Sequence, residues 1–319
     1  MLKLQCKWRI ISALCAVLLM FSMCGAENAQ ALEAYTDAIT FASDRSETLR
    51  VPLYFRLQGE EYLVRETREV VLPYDRELAE VILGELVEGP TEQQEMTAVF
   101  KSGTRALSLQ QAGDMLVVTL SAEFLESPFE SKETVSEKEY AETLLLRRLA
   151  LQSFVNTLTE ITDYTSVLFL VQRNASEQTG TRLYQYDLNE NADQIALQGP
   201  ISRNEQIILT HYNTASLILE CWLNHDYKLM YRFLTAENAP SEIEFEQLLT
   251  DSLRTLGGYS LSPGTVSEDG QTAVFEVYLN ISDEKSVTVL QSYPMRLCLE
   301  NGLWKIEYDA LMQMMEVGS

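Results

Sequence analysis

The chain has 319 residues, 46% of them hydrophobic, and a formal net charge of −23. The hydrophobic share is that of a globular protein and excludes a disordered chain, and the length favours two domains over one. A surface this acidic excludes nucleic acid and anionic lipid headgroups as partners of the folded part, and is compatible with simple solubility, cationic partners or divalent ions near a wall.

The first feature in chain order is an export segment. Lys3, Lys7 and Arg9 precede an almost wholly apolar run over residues 10–23. A basic head before a short apolar run is an export signal, and the run is shorter than the ~20 apolar residues a spanning helix needs. Two exits compete. In the first, Cys24, followed by Gly25, is lipidated and becomes the mature N-terminus; residues 19–25 resemble a bacterial lipobox, departing from it at Phe21 and Met23. In the second, Ala29-Gln30-Ala31 is a small-x-small cleavage site and the protein is released after Ala31. Position and Gly25 favour Cys24. A single acyl chain holds weakly, so a stable anchor there carries several. The folded part is thus expected outside the cytoplasm, on the outer face of the cell membrane. Cys6, Cys15 and Cys24 lie in this segment, leaving Cys221 and Cys298. Both sit among apolar neighbours, and two free thiols are expected rather than a disulfide.

Residues 51–57 read as a strand, 59–61 as a turn and 62–66 as its return. Alternation on Leu53, Phe55, Tyr62 and Val64 predicts one buried and one available set, the latter open to a partner. A helix with Asp75 as N-cap and a stripe of Leu78, Val81, Ile82 and Leu86 stops at Gly89-Pro90. Residues 105–111 and 115–120 form a second hairpin around Gly113. After a charged loop, Ser136 and Glu139 have capping-box spacing ahead of a long, well-buried helix carrying Ala141, Leu144, Leu145, Leu151, Val155 and Leu158. Residues 167–171 are a continuous apolar strand, suited to a sheet centre. Residues 174–198 are polar and turn-rich, and Gly199-Pro200 marks an exit. The order ββαββαβ, with two helices on one face of a small mixed sheet, is an α+β unit over residues 46–203.

This unit resembles the GerM-type (GerMN) domain of bacterial sporulation and germination envelope proteins, found also in LpqB-like lipoproteins. The carriers are residues 51–55 (VPLYF), 86–90 (LVEGP), 102–105 (SGTR), 117–124 (VVTLSAEF), 154–160 (FVNTLTE) and 199–203 (GPISR), whose order and spacing together make the likeness. The sequence departs from the pattern at 126–138 and 173–188. The resemblance implies an envelope protein that makes protein contacts and has no catalytic residues.

Residues 204–319 form the second expected unit. Ile208, Tyr212, Ala215, Leu219 and Trp222 give helical period over 205–233, interrupted at Asn224-His225-Asp226, with a second turn-rich helix over 227–234. A further helix is expected over 242–256, ending at Gly257-Gly258. Residues 271–279 alternate at period two, and 292–300 and 303–308 join at Asn301-Gly302, a type I′ turn. Helices followed by a curled antiparallel sheet make an α+β cone. Residues 222–231 and 299–306 resemble the nuclear-transport-factor-two-like superfamily, a fold that hosts isomerases and dehydratases and so fixes no function.

Chemistry is sparse. His211 and His225 are the only histidines. His225-Asp226 is the one acid/base pair an isomerase could use, but it falls at a helix break, where short polar residues satisfy freed backbone groups. Glu126, Glu130, Glu133, Glu137 and Glu139 lack the alternation of a calcium loop and read as a solvated face. No metal or cofactor is expected. The expected function is a non-enzymatic, lipid-anchored envelope scaffold or protein-binding module, possible in sporulation or germination, with envelope proteins as partners. The alternative is a small apolar ligand in the second unit's cone, or a weak isomerase- or dehydratase-like enzyme there, a reading that gains if Glu276 faces inward.

Overall fold

The computed structural model describes residues 46–91, 95–129, 135–174, 179–193, 195–252, 254–282 and 287–316. The expected export segment with Cys24 and Ala31, and the acids Glu130 and Glu133, lie outside them. The chain falls into two compact units: residues 50–68 with everything from 78 onward form one, while 46–49 and 69–77 belong to the other.

β1 (Ser46–Leu57) and β2 (Leu63–Pro73) form the expected hairpin, joined through Gly59 at φ 83°. β3 (Met96–Thr97) completes a sheet of order β2-β1-β3. The expected alternation fails here: every residue from Val51 to Leu57 is buried, Tyr54 and Arg56 included. Residues 51–57 therefore offer no outward set, whereas β2 exposes Arg65, Thr67, Glu69 and Val71. The cause is tertiary. Ser153 on the long helix donates to the Tyr54 carbonyl, Arg56 pairs with Glu142 on the same helix, and Arg68 lies over the Phe55 ring at 5.7 Å. Buried polar groups persist only when paired in this way.

α1 (Leu78–Glu88) begins at Leu78 rather than directly after Asp75, and ends at Gly89, whose φ of 99° only glycine takes easily. β4 (Ala106–Ala112) and β5 (Met115–Leu120) turn at Gly113 as expected. α2 (Glu137–Ile161) has the capping box: Glu139 N–H donates to Ser136 Oγ at 3.2 Å, and Ser136 N–H to Glu139 Oε2 at 3.0 Å. It is the crossover that lets β6 (Ser166–Val171) lie parallel to β5. β7 (Thr181–Arg182) and β8 (Ile201–Ser202) both pair with β6, which is central as its apolar run requires. The expected single sheet is in fact two, because β2 and β3 flank β1 and leave β4 to β8 to a second sheet. At the ends of the 173–188 departure, Arg173 pairs with buried Asp187 at 2.5 Å and covers the Tyr184 ring.

In the C-terminal half, α3 (His211–Asn224) starts six residues later than its apolar period suggests. Thr210 caps it, accepting from Asn213 N–H at 3.1 Å. Ile208 is not on the helix but forms a parallel bridge to Leu63 of β2. The break at 224–226 is real: His225 takes a left-handed conformation at φ 59°, and Asp226 caps the short α4 (Tyr227–Tyr231). α5 (Glu242–Thr250) stops before the Gly257-Gly258 pair, which lies inside β9 (Thr255–Leu261). Those glycines mark a bulge against β11 (Thr272–Ser282), where the register slips between Asn280 and Ile281. β10 (Thr265–Val266), β12 (Val287–Glu300) and β13 (Leu303–Lys305) complete an antiparallel sheet with β9 and β11. Asn301 and Gly302 both have positive φ, as a type I′ turn demands. A final helix, α6 (Tyr308–Glu316), was not signalled by the strand-like pattern before it. The class is α+β throughout.

Ala273, Phe275, Val277, Leu279 and Ile281 point into a core shared with Trp222, Phe233 and Phe245. Gly264, at φ +80°, sits so close that an added Cβ would lie 2.4 Å from the Phe275 ring. Gly264→Ala is expected to destabilise the protein by about 2–3 kcal/mol through overpacking and backbone strain. Chemical denaturation measures this, and an unchanged midpoint would contradict the packing described.

Candidate functional site

The residues that carried the GerM-type likeness converge on one carboxylate. Glu160, near the end of α2, accepts from the Tyr54 hydroxyl of β1, from Arg65 of β2 at 3.0 Å and from Arg203 after β8 at 3.1 Å. Arg203 also donates to the Asn156 carbonyl at 2.7 Å and covers the Tyr54 ring at 5.8 Å. Asn156, fully buried, accepts from Asn204 N–H and donates to the Asn204 carbonyl. Burial works against the ionised Glu160, but the Tyr54 hydroxyl and the two guanidiniums outweigh it and hold its pKa below the usual carboxylate range. Burial and the Glu160 carboxylate push the Tyr54 hydroxyl up. Every strong donor at this point is matched to the acceptor, so the arrangement is a tie between β1, β2, α2 and the chain entering the C-terminal half.

Two clefts flank the join between the halves. The larger, about 1020 Å³, lies between the turn after β1 and the α4–α5 segment. On its walls Arg232 donates to the Gln58 carbonyl at 2.5 Å and reaches Glu95 at 3.3 Å, and Lys305 approaches Glu95 at 3.9 Å. Asp226, Lys228 and Glu242 also line it, so neither sign of charge dominates. The smaller, about 690 Å³, holds Arg65, Arg68, His211 and Trp304. Arg68 is held by Glu66 at 2.6 Å, Glu85 at 2.8 Å and the Gly89 carbonyl at 2.9 Å. The His211 ring stacks on Phe275 and meets Trp304 edge-on, and burial pulls its pKa down. Arg232 binds across the join, whereas Arg65 and Arg68 are occupied by partners in their own half.

The structure disperses the titratable residues singled out from sequence. His225 faces Tyr227, Nδ1 to hydroxyl 2.7 Å, while Asp226 accepts from Leu229 N–H. Both do the backbone work of a helix break. Glu139 is spent in the capping box. Glu276 lies on the exposed face of β11, not in the core, so the inward acid that would favour a ligand in the cone is not at that position. Cys221 and Cys298 are free; Cys221 is buried and its thiol is pushed up to about 12, chiefly by burial. Among the described residues no group of three His, Cys, Asp or Glu could hold a metal, and no helix is long and apolar enough to cross a membrane. Sequence reading missed Arg65 and Arg232. Arg232 contacts a turn 174 positions away and nothing local marks it.

Residues 52–176 match the model of the Germane family, described as sporulation and spore germination. This stretch is similar to the Germane domain. Among solved structures, the tandem GerMN domains of the sporulation protein GerM from Bacillus subtilis are 19% identical, over 51% of this chain and 48% of that one, with a TM-score of 0.33. The chain thus spans about half the length of that structure. A candidate lipoprotein from Clostridium perfringens is 18% identical over 50% of this chain and 89% of that one, TM-score 0.27. A protein of unknown function with a cystatin-like fold from Nostoc punctiforme is 15% identical over 31% and 92%, TM-score 0.22. Scores this low carry no functional conclusion. No curated protein matches the chain.

Glu160→Gln is expected to cost about 1–3 kcal/mol at neutral pH, because two guanidiniums lose their charge partner. A carboxylate whose folded pKa is depressed stabilises above its unfolded pKa and loses that contribution as pH falls through the folded value. The melting temperatures of wild type and Glu160→Gln should therefore converge on acidification below about pH 4. A gap that stays constant down to pH 2 would show that Glu160 is not the ionised hub.

Proposed function

We propose that this is a non-enzymatic protein of the bacterial cell envelope, exported, tethered through acyl chains on Cys24, and acting as a scaffold or protein-binding module in sporulation or germination. The observation that carries the reading is the Germane match over residues 52–176. It is supported by the use of residues inside that match: Tyr54, Asn156 and Glu160 are committed, with Arg203 beyond it, to a structural tie, which suits a domain whose surface rather than a reactive centre does the work. The basic head and apolar run before Cys24 supply the export route.

Cys24→Ala is expected to abolish acylation and move the protein out of the membrane fraction. Continued processing after Ala31 with unchanged secretion would remove the tether from the reading. Affinity capture of the tethered wild type from its own envelope, against a Germane-less control, tests the scaffold role; recovery of the chain without any envelope protein would count against it.

The same reading divides the folded chain at Arg203, with a cone-shaped module of nuclear-transport-factor-two-like form over 204–319. Its apolar core around Trp222 and Phe275 is large enough for residues 204–319 to unfold cooperatively when expressed alone. Loss of the bonds to Leu63 should place their melting temperature below that of the whole chain. A fragment without a thermal transition would show a single folding unit.

A further inference from the structure

β4 is the terminal strand of its sheet, bonded to β5 on one side, and among the described residues no strand pairs with its other side. Its side chains are exposed or half-buried over the whole length from Ala106 to Ala112. Sheet edges are ordinarily blunted by charge, proline, a bulge or a covering element. β2, the long edge of the first sheet, carries Arg65, Glu66, Arg68 and Glu69 and ends in Pro73. β9, an edge of the third sheet, contains two glycines and is tied to α3 by the Tyr259 hydroxyl at Ser216 and Glu220. β4 has no charge and no proline. Its one irregularity lies between Ala106 and Ser108 and leaves residues 108–112 regular.

Charge identifies the occupant. In a chain of net charge −23, two copies repel over most approaches, and the uncharged stretch 106–113 is a place where they meet without acid facing acid. The stretch is bounded by Arg105 before it and Asp114 after it. Antiparallel addition of β4 to its twin brings Arg105 of one copy to the Asp114 end of the other at both ends of the contact. Parallel addition would put like charges side by side, which is unfavourable. We propose that the chain self-associates through β4, by antiparallel pairing with β4 of a second copy about a two-fold axis, merging two sheets into one. The pairing stands apart from the envelope reading above and holds whether or not Cys24 is acylated.

Two-fold symmetry makes the pairing specific. Residues directly opposite in antiparallel strands point to the same face, so an axis normal to the sheet must set one residue against its own copy. The midpoint between Arg105 and Asp114 puts Leu109 or Gln110 there. A contact this short is weak, so it is best trapped in place. In the full chain, Leu109→Cys and Gln110→Cys are made singly and oxidised mildly. Ile243→Cys, 70% exposed on α5, reports random collision in the same background of Cys221 and Cys298. The proposal expects a disulfide-linked dimer at position 109 or 110 well above that at 243. It expects the dimer to be lost when Ser108→Lys is added, since this exposed change sets like charges close together across the axis; Ser108→Ala, which removes the same hydroxyl bond to Thr119 Oγ1 without adding charge, should leave the dimer in place. Dimer yields equal at all three positions, a cross-link to a species of another mass, or a dimer that survives Ser108→Lys would each overturn it.

Discussion

The backbone of Leu63 donates to the Ile207 carbonyl at 2.7 Å and accepts from Leu209 N–H at 2.8 Å, and the arrangement of the C-terminal half follows from this join. With residues 207–209 held beside β2 they cannot continue the helix whose apolar period they share. Thr210 therefore becomes the cap and α3 begins at His211. The same registration brings Arg232 to the turn after β1 and sets the Asn301-Gly302 turn against β2, where a Cβ at Gly302 would stand 3.2 Å from the Arg65 carbonyl. Both clefts lie beside this join, and in the larger one Arg232 is occupied by the Gln58 carbonyl and the Glu95 carboxylate of the opposite half.

The Glu160 tie works beside it. Hydrogen bonds to an ionised group are the strong ones, and here three converge on one carboxylate from elements far apart in sequence. Tyr54, Glu160 and Arg203, which carried the sequence likeness, are thus explained by folding: they tie the first hairpin, the crossover helix and the chain after β8 to one another. Function must then be sought on surfaces the tie leaves uncommitted, and the bare edge of β4 is such a surface.

Much of the architecture was legible because local chemistry and tertiary structure agree. The Ser136/Glu139 capping box, the Gly89 stop, the turns at Gly113 and Asn301-Gly302, the central apolar strand at 166–171 and the helix break at His225-Asp226 all stand where local rules place them. The readings that failed did so where a distant element overrode a local pattern. β1 lost its expected outward face because α2 supplies Ser153 and Glu142 to its polar groups. Gly257-Gly258 became a strand bulge because β11 lies beside it.

Sequence alone determined the α+β class, the GerM-type likeness and the extreme acidity, since each is written in composition, short-range periodicity or a contiguous motif. Tertiary structure alone decided the division of the first half into two sheets, the meeting of Tyr54, Arg65, Glu160 and Arg203, the docking of Arg232 on Gln58 and the exposure of β4. Each of these depends on which strand edge a remote segment occupies. Edge pairing is made by backbone groups that every residue carries, so the side-chain sequence leaves it unmarked until the chain has folded.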